Sequence, residues 1–165
     1  MAASVSLKGK LWRVESDPES RGAVLADDQR VNLEYRLRGG ARDSQFVALV
    51  VDLADVPPDV SAIVVRGFAN APMRASAQLR FAGDGDARWR KSIYFDNAES
   101  REVRISLDAL RPAERPAAAG TAVRPAARPD ITRATSLLFV IDLTNGAPGA
   151  QGSLTLSDVA LVREE

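Results

Sequence analysis

The sequence predicts an all-β chain folded as two antiparallel sheets packed face to face. Three observations carry that prediction. Apolar residues recur at every second position from end to end, the period of a half-buried strand. Clusters of Gly, Pro, Asn and Asp interrupt these runs at short intervals. Few windows of about ten residues support an apolar stripe of period 3.6, so scarcely any segment reads as helix. Short strands punctuated in this way build sandwiches or barrels.

About ten strands follow in order. "LWRVES" and "AVLAD" are short candidates near the start. "VNLEYRL" alternates most clearly, with Val31, Leu33, Tyr35 and Leu37 on one face and Asn32, Glu34 and Arg36 on the other. "FVALVVDL" is apolar on both faces and reads as a central strand covered twice. The turn signal "DVPPD" leads into "SAIVVRGF". In "ASAQLRF", Ala75, Ala77, Leu79 and Phe81 point inward, and Ser76, Gln78 and Arg80 outward. "AGDGD" turns the chain into "WRKSIYF", where Ile93 and Phe95 read as core and Tyr94 faces away from them. "REVRISL" places Val103, Ile105 and Leu107 together. "TSLLFVIDL" is a second doubly apolar run, closed by the turn "TNGAPG" and followed by "GSLTLSDVALV".

One segment breaks the rhythm. Residues 111–134, "RPAERPAAAGTAVRPAARPDITRA", hold four Pro and five Arg and few bulky apolar side chains. Those prolines argue against a packed strand, so a long Pro/Arg/Ala loop is expected there, solvated or serving as a lid or docking segment. The length, 165 residues, suits a single domain spanning 1–165. An initiator Met just ahead of a strand suggests a domain cut from a longer parent, whose compartment the sequence leaves open.

Composition narrows the chemistry. Basic and acidic residues balance at 22 each, so no global field draws the chain to nucleic acid or an anionic membrane. The 19 Arg against 3 Lys reflect base composition more than a binding task. Without Cys or His there is no disulfide, thiol nucleophile, Ser-His-Asp triad or ordinary zinc site. No run approaches the roughly 18–20 apolar residues of a membrane-spanning helix, so membrane insertion is not expected. No phosphate-cradling Gly loop leads into a helix, and no basic face with interleaved aromatics marks a nucleic-acid binder.

The last strand changes phase. Leu154 and Leu156 share one parity, Val159 and Leu161 the other, so a regular strand cannot keep all four in the core. A β-bulge at Ser157-Asp158 resets the alternation. That stretch, "GSLTLSDVALV", resembles the final strand of galactose-binding-like β-sandwich domains. "LADVPPDVSAIVVRGFAN" and the hairpin "WRKSIYFDNAESREVRISLDAL" are similar to earlier segments of the same family, and "TSLLFVIDL" follows in the expected order. The family includes carbohydrate-binding modules and domains like complex I intermediate-associated protein. The resemblance implies a two-sheet jelly roll, a ligand site on a concave sheet face or at the loops, and in many members a structural calcium. Where the family hairpin often carries a Trp, Ser100 and Arg101 stand instead.

Sugar binding needs flat aromatic faces and planar polar side chains. Trp12 reads as core, which leaves Trp89, at a strand start, and the outward Tyr94. Arg66, Gln78, Arg80, Arg90 and Asp142 are polar or charged residues on neighbouring apolar strands, where they must reach solvent or a partner. The expected ligand-binding set is therefore Arg66, Gln78, Arg80, Trp89, Tyr94 and Asp142, with Arg able to fork a carboxylate-bearing saccharide. For calcium the resemblance points to Asp158, with Asp17 as its first companion and Glu15, Asp27 and Asp28 as others. No catalytic residue is assigned. The expected function is a non-catalytic module for a glycan or related polar ligand. The alternative is a protein-interaction or assembly domain of the same fold, favoured by the few aromatics and the Arg/Pro loop.

Overall fold

The computed structural model describes residues 4–7, 9–40, 45–81, 88–112 and 128–163. Its twelve strands are β1 (Ser4–Ser6), β2 (Trp12–Ser16), β3 (Arg21–Ala26), β4 (Val31–Arg36), β5 (Phe46–Asp52), β6 (Ala62–Ala69), β7 (Met73–Phe81), β8 (Arg88–Phe95), β9 (Arg101–Ser106), β10 (Arg111–Pro112), β11 (Ala134–Asp142) and β12 (Gln151–Val162). They form two six-stranded sheets. One runs β3-β4-β12-β6-β9 with β1 also on β12; the other runs β10-β8-β7-β11-β5-β2. Every strand pair is antiparallel. Among the described residues no helix is long and apolar enough to cross a membrane.

The alternation read from the sequence decides which side chains meet. Leu33 and Leu37 of the first sheet pack against Leu49, Leu79, Phe95, Leu137 and Phe139 of the second in one continuous core. The ten strands expected are all present. β1 and β10 are additional, being too short to give a periodic signal. β10 also corrects the expected loop at 111–134. Pro112 lies in a two-residue edge strand, where a missing N–H costs nothing, opposite Trp89. At the other end a 3-10 turn, Ile131–Arg133, buries Ile131 and is capped by Asp130. The central part of that segment, 113–127, lies outside the described residues.

The bulge falls where the phase change requires it. Leu156 pairs with Gly67 and Asp158 with Arg66, leaving Ser157 as the extra residue on β12. Leu154, Leu156, Val159 and Leu161 are all buried as a result. At the same place β12 changes neighbour, from β4 (up to Leu156) to β1 (from Ala160). Gly67 is demanded by this geometry, since a Cβ there would lie 2.5 Å from the Thr155 carbonyl oxygen.

Candidate functional site

The second sheet carries a polar outer face, built by the strand alternation opposite the core. Cross-strand register arranges it in rows. One row runs Arg88, Arg80, Ser136, Asp52. The next runs Arg111, Arg90, Gln78, Leu138, Val50, Arg13. The third runs Ser92, Ser76, Val140, Ala48, Glu15. Its centre is apolar, because β5 and β11 are apolar on both faces: Ala48, Val50, Leu138 and Val140 form a second cluster with Phe46 against it.

An ion pair spans this centre. Arg80 on β7 grips Glu15 on β2 through both terminal nitrogens, at 2.7 and 3.1 Å, although β11 and β5 lie between. Two intervening strands mean about 14 Å between the backbones, covered by two extended side chains. The register carries the pair diagonally over Leu138 and Val50, both fully buried. Arg13 completes the network, meeting Glu15 at 2.9 Å and Asp52 at 2.7 Å. Asp52 also accepts the Ser136 hydroxyl at 3.0 Å. Glu15 is held below the usual carboxylate range, chiefly by its hydrogen bonds from Arg80. Asp52 is lowered in the same way, chiefly by Arg13, which is itself raised by Asp52. Both acids are therefore ionised at neutral pH.

Beyond the strap the face is hydroxyl- and amide-rich. Arg88 donates to the Gln78 carbonyl at 3.1 Å, and the Gln78 amide donates to Ser76 at 3.1 Å. Asn145, from the turn after β11, donates to Ser92 across 3.1 Å. Tyr94 lies opposite Arg74 and is flanked by the Arg101 guanidinium, 5.5 Å from its ring centre.

Of the expected ligand-binding residues, Gln78, Arg80 and Tyr94 share this face. Asp142 belongs to its rim, where its carboxylate caps the following turn by accepting the Thr144 N–H at 3.0 Å. Trp89 has the opposite parity and packs against the main core. Arg66 projects from the other sheet, where it pairs with Glu102 at 3.1 Å. Parity places a side chain on a face but does not say which sheet its strand joins. Arg13, Glu15, Asp52, Ser136 and Asn145 were not expected at the site. The alternation in "LWRVES" turns Arg13 and Glu15 outward; the missing information was that β2 pairs with β5.

The residues expected to hold calcium lie in two places. Asp17 closes the β2–β3 turn and fastens it to β5, accepting N–H groups of Phe46 at 2.9 Å and Ser20 at 3.2 Å. Partial burial raises its carboxyl, and these bonds, with the Ser20 hydroxyl, outweigh that and lower it. Asp158 lines a separate small cleft with Trp12, Asp27 and Arg30. Asp17 follows the end of β2 and is not among the residues that line this cleft. In the cleft Asp27 accepts the Gln29 and Arg30 N–H groups, at 2.7 and 2.8 Å. Among the described residues no three acids gather as calcium ligands.

Several solved structures are similar to this chain. A family 11 carbohydrate-binding module from Clostridium thermocellum, in complex with a β-1,3-1,4-mixed-linked tetrasaccharide, superposes with TM-score 0.72 at 14% identity. The match covers 96% of this chain and 94% of that one. The two chains share a fold, the two-sheet antiparallel sandwich. The family 11 module of the cellulosomal cellulase Lic26A-Cel5E of the same organism gives 0.69 at 16% identity, covering 99% and 96%. A family 11 module characterised in solution gives 0.66 at 15% identity, covering 98% and 96%. No family model matches the sequence, and no curated relative does. The galactose-binding-like sandwich expected from the loose motifs agrees with the observed architecture.

Proposed function

We propose that the protein is a non-catalytic module that binds a glycan on the outer face of the β10-β8-β7-β11-β5-β2 sheet. The observation that carries this reading is the face itself: planar amides, hydroxyls and guanidinia in register across the strands, with Tyr94 beside them. Ser92 and Asn145 offer accessible donors and acceptors for sugar hydroxyls, while Gln78 and Ser76 lie buried beside them and support the face. The tetrasaccharide complex of a structural neighbour supports the same ligand class.

The two acids of the strap do not suit the role of general acid in glycosidic cleavage. Glycosidic cleavage requires one carboxyl kept protonated as a general acid. Glu15 and Asp52 are both pushed the other way by their arginine partners.

Affinity electrophoresis in gels containing soluble polysaccharides, one per gel, tests the reading. The protein should be retarded by at least one, and Asn145→Ala with Tyr94→Ala should abolish retardation while the thermal melt stays cooperative. Unretarded migration across acidic and neutral polysaccharides alike would sink it.

A further inference from the structure

We infer that the ligand is an anionic polysaccharide, its carboxylate or sulfate groups received by the β7-β8-β10 half of the face. This rests on the glycan reading above and adds the charge class of the glycan.

The two halves of the face differ in sign. On β2 and β5, Glu15 and Asp52 neutralise Arg13 and Arg80. On β7, β8 and β10 the outward positions include Arg74, Arg80, Arg88, Arg90 and Arg111, and these three strands contain no acid at all. Register sets cations side by side: Arg90 lies directly opposite Arg111, and Arg74 lies two residues along β7 from the position opposite Ser92, while Arg80, opposite Arg88, is already paired with Glu15. Like charges at directly opposed positions cost stability unless an anion lies between them. Arg80 spends both terminal nitrogens on Glu15, and its Nε is buried without an acceptor among the described residues. Arg74 and Arg90 have no side-chain partner among the described residues, so their guanidinia can take an oxyanion in the bidentate fork that suits carboxylate and sulfate.

Neutral-sugar recognition would instead draw on aromatic platforms. Tyr94 is the only aromatic residue among the outward positions of β7, β8 and β10, and Arg101 already stacks near it. The chain's charge is balanced overall, so this patch is a local concentration of charge, and it faces the same way as the Ser76, Ser92 and Asn145 polar groups.

The test titrates the protein by calorimetry with polygalacturonate, a sulfated galactan, a neutral mixed-linkage β-glucan and a single-stranded oligonucleotide. At least one acidic polysaccharide should bind, and the choice between the two identifies carboxylate or sulfate. Its affinity should fall about tenfold or more between about 0.02 M and 0.5 M sodium chloride, as screening predicts. The double variant Arg74→Gln, Arg90→Gln, which breaks no ion pair, should weaken that binding about tenfold and leave the melting temperature unchanged. Salt-insensitive binding of the neutral glucan, with none of the acidic chains, overturns the inference and leaves the glycan reading standing. Binding of the oligonucleotide in preference to every saccharide, or of nothing, overturns both. An unaffected double variant places the anion elsewhere and refutes the assignment.

Discussion

Glu15 shows how a single residue can be tied to both stability and site geometry. Its carboxylate receives two hydrogen bonds from Arg80 and one from Arg13, and it titrates below its ordinary value because of them. Asp52 does likewise beside Arg13. Folding thus favours the ionised form of both. The stability they add is complete above the unfolded carboxylate range, about pH 4, and fades as pH falls through the lower folded values. Urea midpoints measured from about pH 6 to pH 3 should decline. Glu15→Gln should be less stable at neutral pH and show a shallower decline; an unchanged slope would mean that the Arg80 strap is not formed in solution. Gly67 carries a different constraint. Its Cβ would collide with the Thr155 carbonyl and the Leu156 side chain, so Gly67→Ala should cost about 1–3 kcal/mol in a denaturant titration. A neutral effect would mean that the bulge backbone is free to move away.

At the scale of elements, β12 organises the first sheet. It pairs with β4, β6 and β1, and its bulge lets four large apolar side chains point the same way on either side of a phase change. Each buried Leu or Val of that set contributes roughly 1.5–3 kcal/mol. Deleting Ser157 would give Leu154, Leu156, Val159 and Leu161 the same parity, so a regular strand would keep all four in the core. That deletion should therefore destabilise the fold less than Leu161→Ala, which should cost about 2–5 kcal/mol; the reverse order of urea midpoints would deny Ser157 its place as the extra residue. The phase change was readable because Leu154 and Leu161 differ in parity while both are bulky and apolar. β10 was unreadable because two residues cannot display a period, and Pro112 argues against a strand except at an edge. The candidate site was half legible. Parity turned Gln78, Arg80 and Tyr94 outward, but it could not tell Arg66 from them, because sheet membership is decided by long-range pairing. Trp89 shares the parity of Ile93 and Phe95, and that parity correctly points it to the core rather than to a binding rim.

At the scale of the whole molecule, six strands that are not consecutive in the chain converge to make one face. Its charge is polarised: acids on β2 and β5, arginines alone on β7, β8 and β10. The core on the opposite side of that sheet fixes every side chain's direction, so the face is largely formed before any ligand arrives, and binding needs little backbone movement. The most direct test of a glycan site on this face is a backbone-amide NMR titration with an acidic polysaccharide fragment. The account predicts shift changes concentrated at Ser76, Gln78, Arg90, Ser92 and Tyr94, with the β3-β4-β12-β6-β9 sheet silent. Changes gathered around Arg66 and Glu102 on that other sheet, or none at saturating ligand, would contradict it.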